Sequence, residues 1–231
     1  MGKELTLAYK PPTIGDSWRA FKYHLGTFVG IYLIMFILAI ISNVILEVFT
    51  TLISALGDYS EGAIYLGIFL GLLFNLPFSI VNNLFGISLL AVPSIYYSTE
   101  EVISFNRLIN IFKSGFWRYV FAGVFWTLAI FLGILFCFIP GIILSMMTPI
   151  YVHKIFTTNL TILESFKNSW SSLFNSGKAP QFFGVSILVG LVTVVATILT
   201  CGIGGLIVIP MAWFYIFNYA SHIGVIKYSN N

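Results

Sequence analysis

The sequence predicts an all-α, polytopic membrane protein with six transmembrane helices, arranged as three helical hairpins that are each preceded by a short cytoplasmic amphipathic helix. Three observations predict it: the composition, the spacing of apolar runs and an internal repeat. Of the 231 residues, 58% are hydrophobic and only 8% are charged, and the mean hydropathy is +0.97. A soluble domain carries about 25% charged residues, so this chain cannot cover a water-facing surface. The composition excludes a soluble enzyme, a secreted disulfide scaffold, a disordered protein and a nucleic-acid-binding protein.

The apolar runs predict where the spans lie. A membrane-spanning helix needs about 20 apolar residues, and the chain holds enough for roughly six. Pro140-Gly141 and the glycine-rich stretch 201–205 predict tight turns between antiparallel helices. We therefore expect a single transmembrane domain, 1–231, without a separate soluble domain. The apolar runs lie near 26–50, 62–98, 119–139, 141–157, 181–201 and 204–226.

The positive charges predict the orientation of the spans. All eleven Lys and Arg residues lie in or beside four polar segments, and six spans place these segments on one face. The other face receives only Asp58 and Glu61, with Glu47 close by. Because cytoplasmic loops are enriched in Lys and Arg, we expect both termini in the cytoplasm. The polar segments are 1–24, 99–118, 158–180 and 227–231.

The apolar run at 62–98 is longer than one span needs. Two spans there would move the following basic residues to the outer face, which the charge distribution opposes. We expect one span near 78–98, and an apolar outer insertion at about 51–77 that lies on or dips into the outer leaflet. Pro77 and the neighbouring Asn75, Asn82 and Asn83 suggest a break, because proline removes a helical hydrogen bond. The alternative is one long, tilted and kinked helix.

An internal repeat organises the chain. The segment 13–19 matches 161–167 in the pattern T-I-x-acidic-S-aromatic-basic, and 107–113 is a weaker copy. Each copy precedes a pair of spans, and the second span of each pair carries a proline, at Pro93, Pro149 and Pro210. We therefore predict three pseudo-repeats, at about 13–98, 107–157 and 161–226.

The three repeated segments have the pattern of short amphipathic helices. Apolar residues recur on one helical face in each, and Thr13 with Asp16 and Thr161 with Glu164 fit capping boxes. We expect each helix to lie in the inner interface with its basic residues toward anionic lipid headgroups. The alternative is that the segments are connectors that turn the chain back into the bilayer. The candidate headgroup-binding residues are Arg19, Lys22, Arg107, Lys113, Arg118, Lys167 and Lys178.

The stretches 139–144, 149–152 and 162–170 carry a family resemblance. A Pro-Gly hairpin, an apolar span and then E-S-F-K-N-S-W resemble uncharacterised bacterial integral membrane families grouped with the membrane domain of glycerophosphoryl diester phosphodiesterase. Ser165 and Phe166 replace the Ala and Leu of that pattern, and His153-Lys154 stands near the place of an acidic residue. The resemblance covers about two thirds of the chain. It implies a six-helix fold in the bacterial inner membrane, and no catalytic residue.

Few residues in the spans could carry chemistry. A carboxylate within a bilayer is costly and marks a functional site, which makes Glu47 a candidate, although we favour a water-exposed position at the outer rim. His222 is a candidate for helix packing or for proton relay, and Asn82 and Asn83 are further intramembrane polar candidates. His153-Lys154 is interpreted as an interfacial anchor. The three histidines lack metal-ligand spacing, and we expect neither metal nor cofactor.

The two cysteines and a pair of glycines suggest further contacts between helices. Cys137 and Cys201 both map to outer ends of hairpins, where a disulfide could join hairpins 2 and 3, or each could be a small apolar side chain. Gly67 and Gly71 have the G-x-x-x-G spacing that permits close helix approach.

We derive three functional hypotheses. The first is a non-enzymatic accessory or scaffold subunit that binds membrane lipids or a membrane protein partner, or assembles as a homo-oligomer. The second is a transporter or export/resistance protein for a lipid, peptide or other apolar molecule, supported by an apolar cavity between hairpins. The third is an intramembrane enzyme, which would require two polar residues that converge in a pocket.

Overall fold

A computed structural model describes residues 7, 9–56 and 61–227, and within these ranges every regular element is an α-helix. One short helix followed by two long helices recurs three times along the chain. The helices are α1 (Ile14–Tyr23), α2 (Leu25–Leu56), α3 (Glu61–Thr99), α4 (Phe105–Ser114), α5 (Phe116–Phe136), α6 (Phe138–Thr157), α7 (Ile162–Phe174), α8 (Ala179–Leu199) and α9 (Gly205–His222).

Five of the described helices, α2, α3, α5, α6 and α8, are long and apolar enough to cross a membrane. The protein is therefore a helical, multi-pass membrane protein. The other long helix, α9, has 18 residues and ends in a polar stretch that includes Asn218, Ser221 and His222, which lowers its hydropathy. The chain divides into two compact units, Val29–Gly86 and the remaining residues.

In the unit Val29–Gly86, α2 and α3 pack as antiparallel helices. The rings of Phe49 and Phe74 stack 4.7 Å apart, and the Ser42 hydroxyl bonds to the Asn75 side chain. A Cβ on Gly67 would lie 3.1 Å from the carbonyl oxygen of Phe49, so glycine permits the backbones to approach. The close approach predicted at Gly67 is therefore confirmed.

The break predicted near Pro77 is wrong. α3 continues through Pro77 and Pro93 as one helix of 39 residues, and α2 extends to Leu56. Within the predicted insertion at 51–77, residues 51–56 and 61–77 are therefore helical, as the alternative of one long helix predicts. A proline removes only one hydrogen bond, and long apolar helices tolerate that loss because neighbouring residues and local adjustment compensate. Asp58, predicted on the outer face, lies outside the described residues.

α5 and α6 form a tight antiparallel pair. Only Cys137 separates them, whereas the sequence predicts the turn at Pro140-Gly141. Both of those residues lie in the first turn of α6, where proline is tolerated because the N–H it lacks would have no helical partner. The glycine is used for packing instead, since a Cβ on Gly141 would lie 2.7 Å from the backbone nitrogen of Ile134.

α8 and α9 pack against each other around the turn predicted at 201–205, and this prediction is confirmed. Cys201 and Gly202 have φ values of 51° and 91°, the left-handed region that favours glycine. The Thr200 side chain accepts a hydrogen bond from Gly204 N–H at 2.8 Å. α9 also packs on α1 and α6, and α7 packs on α6.

The short helices α1, α4 and α7 occupy the segments predicted from the repeat. Thr161 and Glu164 form the full capping box, whereas Thr13 caps α1 without the reciprocal bond from Asp16 to its N–H. Hydrogen bonds from the Thr161 backbone and side chain hold the pKa of Glu164 below its usual range. Ser104 caps α4 in the same way as Thr13.

Each of these three helices buries some of its apolar residues in the protein, and α1 and α7 leave others exposed. The residues Phe21, Leu108, Phe112 and Leu173 are buried, so part of each apolar face packs against the protein. Each helix must anchor itself on the bundle, and one side of its apolar face does so. Exposed apolar residues of α1 and α7 are Ile14, Trp18, Leu163 and Trp170, and Phe116 is exposed at the start of α5, just after α4.

Candidate functional site

The predicted headgroup-binding cations fall into two classes. Lys113 and Lys167 are exposed, Lys178 is half-buried, and exposed Lys22 lies over the ring of Trp18 at 5.7 Å. The side chain of Arg19 is 65% exposed and lies 3.8 Å from the Asp16 carboxylate. These five cations are free to meet solvent or headgroups over at least part of their surface.

Two of the predicted cations have structural partners. Arg118 donates from Nη2 to the carbonyl oxygens of Thr158 and Leu160 at 2.6 and 3.0 Å, which satisfies the backbone just beyond α6. Arg107 forms an ion pair with Glu101. The sequence identifies both as basic residues of the inner face, but it contains no signal that assigns them to these partners.

Three exposed tryptophans accompany the basic residues. Trp18 of α1, Trp117 at the start of α5 and Trp170 of α7 are 41%, 67% and 43% exposed. Each has a cation near it in sequence: Lys22 four residues on, Arg118 next to Trp117, and Lys167 three residues before Trp170. Tryptophan with an apolar body and a polar N–H is enriched where protein meets the headgroup region.

A polar cavity of about 280 Å³ lies where the ends of α3 and α9 meet α1 and the segment before it. It contains two cations, one carboxylate, three tyrosines and an amide. Asn218 and Tyr97 are each 3% exposed, so part of the lining is deeply buried. The lining residues are Leu7, Lys10, Asp16, Arg19, Ala20, Tyr23, Tyr96, Tyr97 and Asn218.

His24 lies beside this cavity at the junction of α1 and α2, and it is completely buried. Its Nε2 accepts a hydrogen bond from Ile103 N–H at 3.0 Å, so the proton is on Nδ1, which donates to the Ala20 carbonyl at 2.8 Å. Burial lowers the pKa of His24, although the Ala20 bond opposes this in part. The neutral imidazole fastens the segment after α3 to the start of α2, and Thr27 donates to the Ile103 carbonyl at 2.7 Å.

His153 is not the interfacial anchor that the sequence suggests. It is 1% exposed, and its Nδ1 lies 3.1 Å from the hydroxyl of Ser94, which is itself fully buried. The pair connects α3 to α6. Neither residue lines the polar cavity described above.

The remaining polar candidates are separate from one another. Glu47 and Asn83 are exposed, and Asn82 has a buried side-chain oxygen without a partner among the described residues. His222 is exposed and its Nδ1 donates to the Tyr9 carbonyl at 3.1 Å. His222 therefore contacts the N-terminal segment. This differs from both roles suggested by the sequence, helix packing and proton relay.

Cys137 and Cys201 are both exposed free thiols, one at the α5–α6 link and one at the α8–α9 turn, so the possible disulfide is not formed. Among residues 7, 9–56 and 61–227, no group of three His, Cys, Asp or Glu side chains could hold a metal ion.

An apolar cavity of about 360 Å³ opens between α6, α8 and α9. Trp213 and Met146 contribute to its wall, and two of its hydroxyl groups bond within their own helices: Ser145 donates to the Ile142 carbonyl at 2.7 Å and Thr193 to the Val189 carbonyl at 2.8 Å. The cavity therefore offers apolar contact with little hydrogen-bonding capacity.

No protein family model, no curated protein and no solved structure matches this chain. The resemblance to the bacterial membrane families stays a prediction.

Proposed function

We propose that this protein is a non-enzymatic protein of the bacterial inner membrane, an accessory or scaffold subunit that binds anionic lipid or a membrane protein partner through its inner face. It crosses the membrane six times, with α9 as the sixth span and both termini in the cytoplasm. In this arrangement it belongs with the bacterial membrane families whose pattern it resembles. The observation that carries the proposal is the proximity in sequence of an exposed tryptophan and an exposed lysine on α1 and α7, Trp18 with Lys22 and Trp170 with Lys167.

The physical argument starts from what each side chain prefers. Trp18 and Trp170 extend from the edges of apolar helix faces that are otherwise anchored on the bundle. An indole gains from the acyl boundary, while a nearby lysine gains about 1 kcal/mol from an anionic leaflet. Lys22, Lys113 and Lys167 are exposed on three different short helices, so the inner face offers several separate contacts to lipid.

The test is lipid selection by the full chain in nanodiscs that contain equal amounts of phosphatidylglycerol and phosphatidylcholine. Native mass spectrometry after release into detergent counts the retained lipids. We expect the wild type to retain phosphatidylglycerol at least fivefold over phosphatidylcholine. A triple variant with Lys22, Lys113 and Lys167 changed to Gln should lose most of this preference.

The matched control changes the same three lysines to arginine, which keeps the charge and should keep the preference. A wild type without lipid preference contradicts the lipid part of the proposal. A stoichiometric membrane protein that stays bound through extraction from native membranes would support the partner part instead.

A second candidate is a transporter or export protein for a lipid, peptide or other apolar molecule. The apolar cavity between α6, α8 and α9 favours it, because it has room for an apolar group and few competing polar atoms. Ala212→Trp would fill this cavity from α9. Retained transport in that variant, or the absence of transport of any apolar dye by reconstituted wild type, would count against this candidate.

A further inference from the structure

The polar cavity at the inner ends of α1, α3 and α9 does not belong to the lipid-facing tryptophan and lysine surface. Its walls come from elements far apart in sequence: the segment before α1, α1 itself, the last turn of α3 and the last turn of α9. The cavity therefore exists only in the folded protein.

The N-terminal segment is fastened across this region at two points. Leu7 N–H donates to the carboxylate of Glu100 at 2.8 Å, and the Tyr9 carbonyl accepts from His222. Glu100 has a φ of 54°, in the left-handed region that a non-glycine residue rarely adopts. The packing around the end of α3 holds Glu100 there, and these bonds place Lys10 on the wall of the cavity.

The chemistry of the lining points to a phosphate ester. Lys10 and Arg19 supply positive charge, and the hydroxyls of Tyr23, Tyr96 and Tyr97 are donors of the kind that phosphate oxygens accept. The carboxylate of Asp16, which accepts from the Thr13 hydroxyl at 2.7 Å and lies 3.8 Å from Arg19, would repel an inorganic anion. A headgroup that carries a hydroxyl or an amine beside its phosphate would use both charges of the lining.

We propose that this cavity binds a phosphate ester that carries a neighbouring hydroxyl or amine, most simply the headgroup of one phospholipid. The phosphate meets Lys10 and Arg19, and Asp16 accepts from the hydroxyl or amine. The lipid form of the ligand rests on the proposed function, since it requires the cavity to lie at headgroup depth. The position of the cavity supports this, because α2 begins, and α3 and α9 end, beside it.

The tests use full-length protein and three probes: short-chain phosphatidylglycerol, glycerol phosphate and inorganic phosphate. Binding is followed by native mass spectrometry and by the change in tyrosine and tryptophan fluorescence. We expect Arg19→Gln to weaken phosphatidylglycerol binding five- to tenfold, and Lys10→Gln to act similarly. Tyr96→Phe keeps the ring that contacts His24 and Phe214 and should weaken binding two- to fivefold.

The matched control is Lys227→Gln, which removes an exposed cation that belongs neither to the cavity nor to the proposed lipid-binding set, and it should leave this binding unchanged. Variants are compared only where their thermal stability equals that of the wild type, and Tyr96→Phe covers the case in which Arg19→Gln fails to fold. Binding of the lipid in preference to glycerol phosphate supports the headgroup, and equal binding of both supports a soluble phosphate ester.

Failure of this inference is distinct from failure of the proposed function. A wild-type lipid preference that is lost with Lys22, Lys113 and Lys167 but unaffected by Lys10, Arg19 and Tyr96 overturns the cavity site alone. Absence of binding by all three probes also overturns it. Absence of any anionic lipid preference in nanodiscs contradicts the proposed function, whatever glycerol phosphate does.

Discussion

α6 and α8 are of nearly equal length, 20 and 21 residues, yet they are built for opposite surroundings. The most apolar 18-residue window of α6 has a mean hydropathy of 1.3 and is half buried, whereas that of α8 has 2.5 and is 6% buried. In a soluble protein the more apolar helix is the more buried one. Here the relation is reversed, because lipid accepts apolar side chains as readily as a protein interior does.

The polar groups of the two helices explain the reversal. On α6, Tyr151 donates to the Ala122 carbonyl at 3.1 Å, and Thr148 accepts from Trp126 Nε1 at 2.9 Å. On α8, Thr193 and Thr197 donate to carbonyls of their own helix. Tyr151 and Thr148 of α6 therefore join helices, whereas Thr193 and Thr197 of α8 bond only within their own helix.

The largest effect should come from a methyl group at the closest helix contact. Gly141→Ala would push the new Cβ against the backbone of Ile134, so α5 and α6 must separate. We expect a loss of about 3 kcal/mol in the free energy of unfolding. Unfolding by SDS from mixed micelles measures it.

The matched change on the other helix is Gly184→Ala. A Cβ there has open space within 4 Å, so the variant should be unchanged or more stable by up to about 1 kcal/mol through better helix propensity. Equal destabilisation by both changes would show that α8 is as closely packed as α6, and would break the contrast.

A comparison within α5 sharpens the contrast. Trp126 is 6% exposed and stacks on Tyr151 of α6 at 4.2 Å, whereas Trp117 is exposed. Trp126→Ala should cost about 2–3 kcal/mol through lost packing, and Trp117→Ala less than about 0.5 kcal/mol. The same SDS titration compares them, and a Trp117 effect as large as that of Trp126 would contradict the assignment of Trp117 to the lipid interface.

The packed part of the protein also differs from α8 in its titratable groups. α8 contains no ionisable side chain, whereas the buried His24 lies at the junction of α1 and α2. The lowered pKa of His24 means that the unfolded chain binds its proton at higher pH than the folded protein. The stability that neutral His24 provides is complete above about pH 6.5 and is lost as the pH falls toward the folded pKa. The steepest loss from one such group is about 1.4 kcal/mol per pH unit.

His24→Gln tests this, because an amide can accept from Ile103 N–H without titrating. We expect its stability to change less between pH 7 and 5 than that of the wild type, in thermal unfolding of the detergent-solubilised protein. Identical slopes for the two proteins would assign the acid sensitivity to other groups.

The smallest effect should come from single hydroxyls. Thr148→Val leaves Trp126 Nε1–H without its acceptor and should cost about 0.6–1 kcal/mol, as hydrogen bonds between membrane helices typically do. Thr193→Val removes a bond within α8 only, and should change stability by less than about 0.3 kcal/mol. The difference between these two isosteric changes is measured by steric trapping, and a reversed order would contradict the role assigned to α6.

Local chemistry made part of the fold predictable. The spacing of apolar residues and the caps at Thr13 and Thr161 predict α1 and α7, and the glycines at 201–205 predict the last turn. Pro140-Gly141 and Pro77 misled because each has a second physical use, one in the first turn of a helix and one inside a long apolar helix. The sequence contains the proline but not the surroundings that decide between these uses.

The candidate site was predictable only as a set of cations. The sequence places Arg19 and Arg118 on the same inner face, but carbonyl partners 40 and 42 residues away decide that Arg118 is used in structure. His24 depends on Ile103, 79 residues away, and a lone histidine after an amphipathic segment carries no signal of that contact. The cavity was missed because its tyrosines, two at the end of α3 and one at the end of α1, resemble ordinary interfacial residues.

The continuity of α3 makes the protein sensitive to the thickness of its membrane. At about 1.5 Å per residue, 39 residues extend close to 58 Å, and the hydrocarbon core of a bilayer is about 30 Å thick. A stretch longer than the hydrocarbon core can tilt, and the surrounding lipids can stretch to cover part of the difference, at a fraction of a kcal/mol for each ångström. Chain length of the acyl groups thus becomes a variable that acts on this protein directly, and thicker regions of a membrane should be the more favourable place for it.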